Sequence, residues 1–201
     1  TACPNTGNGL YINVTATVTI TKSKFAAVYV ESPNARVSIT ASEGDGGAQV
    51  VISTITSYPG SGVAAPGSGY MLTMDRVNLH NGRNPLECVA SCYVTNSYLH
   101  TPTYQATTGA HQQGILNSGG GTSSRIFVQD NYISCDGTDG CTANLSMFGD
   151  FAAVDGVTIN HNYFPAHPEA YYYCLTLGGA PKPYGVSNVV FTNNVVEKGS
   201  S

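Results

Sequence analysis

The sequence has no tryptophan and few charges: only 10% of its 201 residues are Asp, Glu, Lys or Arg, against roughly 25% in an ordinary domain. A net charge of −4 and a pI near 5.6 leave no basic footprint, so nucleic acid is not an expected partner. No apolar run approaches the ~18–20 residues of a membrane span. The chain opens on no secretory leader, which makes Thr1 read as a processed or truncated N-terminus. No C-x2-C pair signals a metal site. Gly, Ser, Thr, Asn and Tyr are abundant instead, so solubility rests on hydroxyls and amides rather than charge.

The pattern that organises the chain is apolar-x-apolar-x-x-Asn-x-apolar. It is clearest in Val157-Thr-Ile159-Asn-His-Asn162-Tyr-Phe164 and returns in Ile126-Phe-Val128-Gln-Asp-Asn131-Tyr-Ile133 and Val189-Val-Phe191-Thr-Asn-Asn194-Val-Val196. Weaker copies are Cys92-Tyr-Val94-Thr-Asn-Ser97-Tyr-Leu99 and Leu72-Thr-Met74-Asp-Arg-Val77-Asn-Leu79. From first to last the copies are 20, 34, 31 and 32 residues apart, a period that marks stacked architectures. Alternation, a break and renewed alternation suit two short strands meeting at a corner. A second phrase fills the intervals: Leu86-Glu-Cys88, Ile115-Leu-Asn117, Leu145-Ser-Met147 and Leu175-Thr-Leu177. No helical period separates these strands. The fold expected is therefore all-β, a right-handed parallel β-helix in one domain over residues 1–201, with the turn Asn at 131, 162 and 194 stacked into an amide ladder.

Residues 69–201 carry the regular coils, interrupted by loop excursions, and 1–68 are less regular. Leu10 to Thr21 alternates apolar and Thr and reads as one long strand. Val28-Tyr-Val30, Val37-Ser-Ile39 and Val51-Ile52 continue as short ones. Neither end shows a capping helix, so either the chain is a fragment or its ends stack on copies of itself.

Six cysteines without metal-type spacing point to an oxidising, extracellular compartment. Cys88 with Cys92 and Cys135 with Cys141 can each close locally, leaving Cys3 and Cys174 at opposite ends. Aligning the copies gives columns on the outer face. The position after the turn Asn reads Asn78, Tyr98, Tyr132, Tyr163, Val195. The position before it reads Arg76, Asn96, Asp130, His161, Asn193. Tyr98, Tyr132 and Tyr163 make either a platform for sugar rings or an aromatic ladder that shields the sheet. Asp130 and His161 fall in adjacent coils, where a carboxylate can hold an imidazole in one tautomer as a base. Lyase chemistry on a uronic acid needs such a base and a cation for the carboxylate. His111, Lys182 and Arg125 are the further candidates. Asp136 and Asp139 either bind calcium together or make Asp-Gly turns. Asp150 either holds a metal or ends a turn.

Several phrases carry a resemblance to right-handed parallel β-helix proteins of the pectate-lyase-like superfamily. They are Cys88-x3-Cys92 leading into Tyr98-Leu-His100, Gly109-Ala-His111-Gln-x-Gly114-Ile, Cys135…Gly140-Cys141-Thr-Ala-Asn-Leu145, Gly149-Asp-Phe151, Lys182-Pro-Tyr184 and Phe191-Thr-Asn-Asn194-Val-Val. Their order is similar to that of a group of secreted bacterial β-helix proteins. The wider superfamily implies polysaccharide lyases and glycoside hydrolases. The polygalacturonase phrases Asn-Thr-Asp, Asp-Asp, Gly-His-Gly and Arg-Ile-Lys are absent, with Arg125-Ile-Phe nearest to the last. No column holds a calcium-binding carboxylate cluster or the two carboxylates ~5–10 Å apart that a hydrolase needs. The functional expectation is a secreted carbohydrate-active protein, lyase-like if catalytic. A structural or adhesive solenoid forming filaments and a non-catalytic carbohydrate-binding module are the alternatives.

Overall fold

A computed structural model describes residues 9–30, 32, 35–46, 48–50, 71–89, 91–102, 112–119, 124–137, 141–166, 173–179 and 181–198. Among the described residues there are twenty-one short strands and no helix. Numbered in chain order, every third strand joins the same sheet. Sheet A holds β1 (Gly9–Ile12), β4 (Ala27–Val30), β7 (Ala48–Val50), β10 (Leu86–Cys88), β13 (Gln112–Asn117), β16 (Cys141–Met147) and β19 (Leu175–Leu177). Sheet B holds β2 (Thr17–Thr21), β5 (Arg36–Thr40), β8 (Leu72–Asp75), β11 (Ser91–Thr95), β14 (Ser124–Gln129), β17 (Val154–Asn160) and β20 (Val186–Thr192). Sheet C holds β3 (Lys24–Phe25), β6 (Glu43–Asp45), β9 (Asn78–His80), β12 (Tyr98–Leu99), β15 (Tyr132–Ile133), β18 (Tyr163–Phe164) and β21 (Val195–Val196). The strands within each sheet pair in parallel, as expected of a β-helix. No helix among the described residues is long and apolar enough to cross a membrane.

The repeat in the sequence is the register in space. In sheet B, Val18, Val37, Leu72, Cys92, Ile126, Val157 and Val189 stand in one row. Each copy of the main pattern is one sheet B strand, a corner and one sheet C strand. The second phrase is the sheet A strand. Alternate residues face inward, and Leu86, Ile115 and Leu145 of sheet A, Leu72, Ile126 and Ile159 of sheet B, and Leu79, Leu99 and Ile133 of sheet C form one continuous buried cluster.

The corner between sheets B and C is two residues long in every circuit, and its first residue is left-handed each time. Lys22, Ala41, Arg76, Asn96, Asp130, His161 and Asn193 have φ between 47° and 57°. The second corner residue builds the expected ladder. Asn131 Nδ2 donates to Asn162 Oδ1 at 2.9 Å, and Asn162 Nδ2 donates to Asn194 Oδ1 at 3.0 Å. Each carbonyl also accepts the backbone N–H of the preceding circuit: Ser97 N to Asn131 Oδ1, Asn131 N to Asn162 Oδ1 and Asn162 N to Asn194 Oδ1. Ser97 and Ser42 do the same with hydroxyls, taking Val77 N and Ser23 N. Val77, an apolar residue in that column, interrupts the series.

One early expectation is corrected. Leu10 to Thr21 is not one strand. It divides into β1 and β2 because Ile12 aligns with Val30 in sheet A, whereas Val18 and Ile20 align with Val37 and Ile39 in sheet B. Among the described residues, the first circuits share the left-handed corner of the later ones, at Lys22 and Ala41. Val51-Ile52 lies outside the described residues. Cys88–Cys92 and Cys135–Cys141 are disulfide-bonded, joining β10 to β11 and the segment after β15 to β16. Cys174 is free and half-buried, and Cys3 lies outside the described residues.

Candidate functional site

Sheet C turns two rows of side chains outward, because its inward row is the apolar Leu79, Leu99, Ile133 and Phe164. One outward row runs Lys24, Glu43, Asn78, Tyr98, Tyr132, Tyr163. Tyr98 meets Tyr132 edge to face at 4.8 Å, and Tyr132 stacks on Tyr163 at 5.4 Å. The other row, two residues further along each strand, includes His80 and His100. These imidazoles stack at 5.3 Å, and His100 lies against the Tyr98 ring at 3.9 Å. Five rings, His80, His100, Tyr98, Tyr132 and Tyr163, thus run in unbroken contact across four circuits.

Polar groups flank this stripe. His80 Nε2 lies 3.2 Å from Glu43 Oε1 and its Nδ1 lies 3.6 Å from Asp45 Oδ1. Hydrogen bonds from Lys24 and His80 hold the Glu43 carboxyl below its usual range, and Asn81 does the same for Asp45. His100 has Nε2 at 2.9 Å from Asn78 Oδ1 and Nδ1 at 2.7 Å from Thr101 Oγ1, and burial pushes its pKa down. Burial raises the Tyr132 hydroxyl, and a hydrogen bond to the Glu197 carboxylate raises that of Tyr163.

Where the stripe meets the B–C corner lies a shallow groove of about 790 Å³, lined among others by Arg76, Asn78, Asn96, Tyr98, Asp130 and Tyr132. The aligned columns therefore converge: Tyr98, Tyr132 and Asp130 share one surface, with Tyr163 next in the stack. His161 Nδ1 is 2.5 Å from Asp130 Oδ1. A carboxylate only accepts, so Nδ1 carries the hydrogen and Nε2 is left as the basic nitrogen. The Gln129 amide and then His161 hold the Asp130 carboxyl low.

The other sequence candidates are dispersed. Lys182 donates to Asp150 Oδ1 at 2.5 Å and sits 4.5 Å over the Phe148 ring, in a separate cleft beside sheet A. Arg125 stands near the start of β14 in sheet B, paired with Ser91, and lines neither the groove nor the cleft. His111 and Asp139 lie outside the described residues. Asp136 Oδ1 accepts the Thr101 backbone N–H at 2.5 Å, a turn role. Among the described residues no group of three or more His, Cys, Asp or Glu side chains can hold a metal ion.

Sequence reasoning missed His80, His100 and Glu43 as part of this surface, and placed Arg76 in its outer column without a role. The signal was available for the histidines: moving two positions beyond the tyrosine column aligns His80 with His100, one circuit apart. Comparison of the chain with family models, curated proteins and solved structures returns no match.

Proposed function

We propose that this chain is a right-handed parallel β-helix of the pectate-lyase-like kind, works in an oxidising extracellular setting, and binds a polysaccharide along sheet C. The observation that carries the reading is the continuous stack of His80, His100, Tyr98, Tyr132 and Tyr163, flanked by amides and carboxylates. Sugar rings present C–H faces to aromatic rings and hydroxyls to polar groups at the edge. Two disulfides support the compartment. Retention of polysaccharides by immobilised protein tests the binding. Tyr132→Ala is expected to weaken retention about tenfold, equivalent to roughly 1.4 kcal/mol. Unchanged retention by a folded variant removes the reading.

The Asp130–His161 geometry favours lyase chemistry on the same surface. His161 Nε2 takes the proton alpha to a uronate carboxylate. The electron pair forms the carbon–carbon double bond and the glycosidic oxygen departs, taking a proton from water. Ultraviolet absorbance of the unsaturated product, appearing with new reducing ends and abolished by His161→Ala, is the expected result. Reducing ends without that absorbance would mean hydrolysis, and neither signal would leave a binding protein.

A filament reading rests on a different observation. Val189, Phe191, Val195 and Val196 in the last circuit are 37–53% exposed, although Phe191 aligns with buried Ile159 and Val196 with buried Phe164. A second copy stacked on this face, or a further circuit of the same chain, would cover them. Light scattering at rising concentration tests it, and a constant monomer mass rejects it.

A further inference from the structure

The cleft around Lys182 is a second site, and its chemistry differs from that of the sheet C stripe. It encloses about 390 Å³ between the ends of β13 and β16 and the segment 181–185, within the ~300–1,000 Å³ of small-molecule sites. Three sequence phrases with no role on sheet C meet here: Gln112-Gln-Gly114, Gly149-Asp-Phe151 and Lys182-Pro-Tyr184.

The backbone holds the cleft in shape. Gly149 and Tyr184 form an antiparallel bridge, with Tyr184 N donating to Gly149 O at 3.0 Å. A Cβ at Gly149 would run into the Tyr184 carbonyl, so only glycine allows the approach. On the other side, Asp150 N and Phe151 N both donate to Ser118 O. These bonds present Asp150, Lys182 and Phe148 together.

Unmet hydrogen-bonding capacity points to a ligand. Gln113 lines the cleft and is 2% exposed, yet its Oε1 has no hydrogen-bond partner among the described residues. A buried acceptor left unpaired costs roughly 1–3 kcal/mol, so a donor is called for.

The charges say what kind. Arg83 Nη2 is 2.8 Å from Glu87 Oε2, and Lys182 is paired with Asp150. Each cation is already neutralised, which disfavours an anion. A hydroxyl differs from an anion in that it both donates and accepts. Neighbouring hydroxyls on a ring can give one hydrogen to Asp150, accept one from Lys182 and donate another to Gln113 Oε1. We infer that this cleft binds a single neutral pyranose residue through a vicinal diol, separately from the sheet C surface.

Saturation-transfer NMR of the intact protein with methyl glucoside, methyl galactoside and methyl mannoside tests this, with sodium glucuronate and glycerol as controls. One of the neutral pyranosides is expected to bind, with affinity falling at least tenfold in both Asp150→Asn and Gln113→Leu. Asp150 is partly exposed, so its substitution keeps the test valid should the buried Gln113→Leu fail to fold. Binding of none of the three, tighter binding of glucuronate, equal binding of glycerol, or binding unaltered by Asp150→Asn would each overturn the assignment. Polysaccharide retention on sheet C is a separate measurement, so either site can fail without the other.

Discussion

Asp130 Oδ1 and His161 Nδ1 lie 2.5 Å apart across one circuit, and both residues occupy left-handed corner positions, with φ of 57° and 53°. The bond is exposed: 71% of the His161 side chain and 34% of that of Asp130 face solvent. Pairs this open contribute about 0–1 kcal/mol. The left-handed backbone, by contrast, costs a non-glycine residue on the order of 1 kcal/mol. His161→Gly should therefore be more stable than His161→Ala by about 1 kcal/mol, both lacking the pair. Urea denaturation of the two variants checks this. Equal midpoints would mean that the corner carries no backbone strain.

The ladder makes a graded prediction at position 131. Asn131→Ala removes the acceptor for Ser97 N and the donor to Asn162 Oδ1, Val94 O and Gln129 O. With several buried groups unpaired, the loss is on the order of 3 kcal/mol. Asn131→Ser should lose only about 1 kcal/mol, because Ser97 shows that a hydroxyl here can accept the preceding N–H and donate to the carbonyl two residues back. Denaturation of the pair decides it, and equal losses would contradict the substitution logic of the column.

His100 makes stability depend on pH. Burial lowers its pKa below the ordinary histidine value of about 6.5, so the unfolded chain takes up the proton more readily. Its neutral form supports the fold fully above that value. That support is lost as pH falls from there through the folded-state pKa. Thermal midpoints measured from pH 7.5 to 5, values bracketing roughly the histidine range, should fall with acid, and His100→Asn should flatten part of the slope. An unaltered slope would show that His100 is not the titrating group.

The disulfides close short segments, with cysteines 4 and 6 positions apart. Loop-closure entropy then gives about 2 kcal/mol for each. Denaturation with and without a thiol reductant should differ by roughly twice that in all, while Cys88→Ala/Cys92→Ala should lose about half.

Much of this architecture can be read from the residues because a parallel stack repeats its burial pattern at the spacing of its circuits. Val157, Ile159, Asn162 and Phe164 announce a sheet B strand, a corner and a sheet C strand, and the same positions recur wherever the pattern does. Legibility ended where the corner tolerates substitutes. Lys22, Ala41 and Arg76 adopt the same left-handed turn as Asn96 and Asn193 without a side chain that favours it, so their corners carry no signal in the residue types. Leu10 to Thr21 misled for a related reason: alternation alone does not reveal a change of sheet. The grouping of Tyr98, Tyr132, Tyr163 and Asp130 followed from counting columns. The cleft at Lys182 did not, because Gln113, Asp150 and Lys182 come together through the bridge between Gly149 and Tyr184, which no periodicity encodes.

The strict rotation through sheets A, B and C governs how the molecule can assemble. Among the described residues even the nearest partners in any sheet, Gly9 and Ala27, are 18 positions apart in the chain, so none of the described strand pairs is a hairpin. The first two circuits must close long loops before any ladder bond forms, an entropic cost that makes this step the nucleus. Later circuits dock onto a ready template and add one neighbour at a time, as repeat proteins do. Such non-local topologies fold on the order of milliseconds to seconds. The kinetic identity of the protein is thus that of a one-dimensional crystal, slow to seed and quick to lengthen.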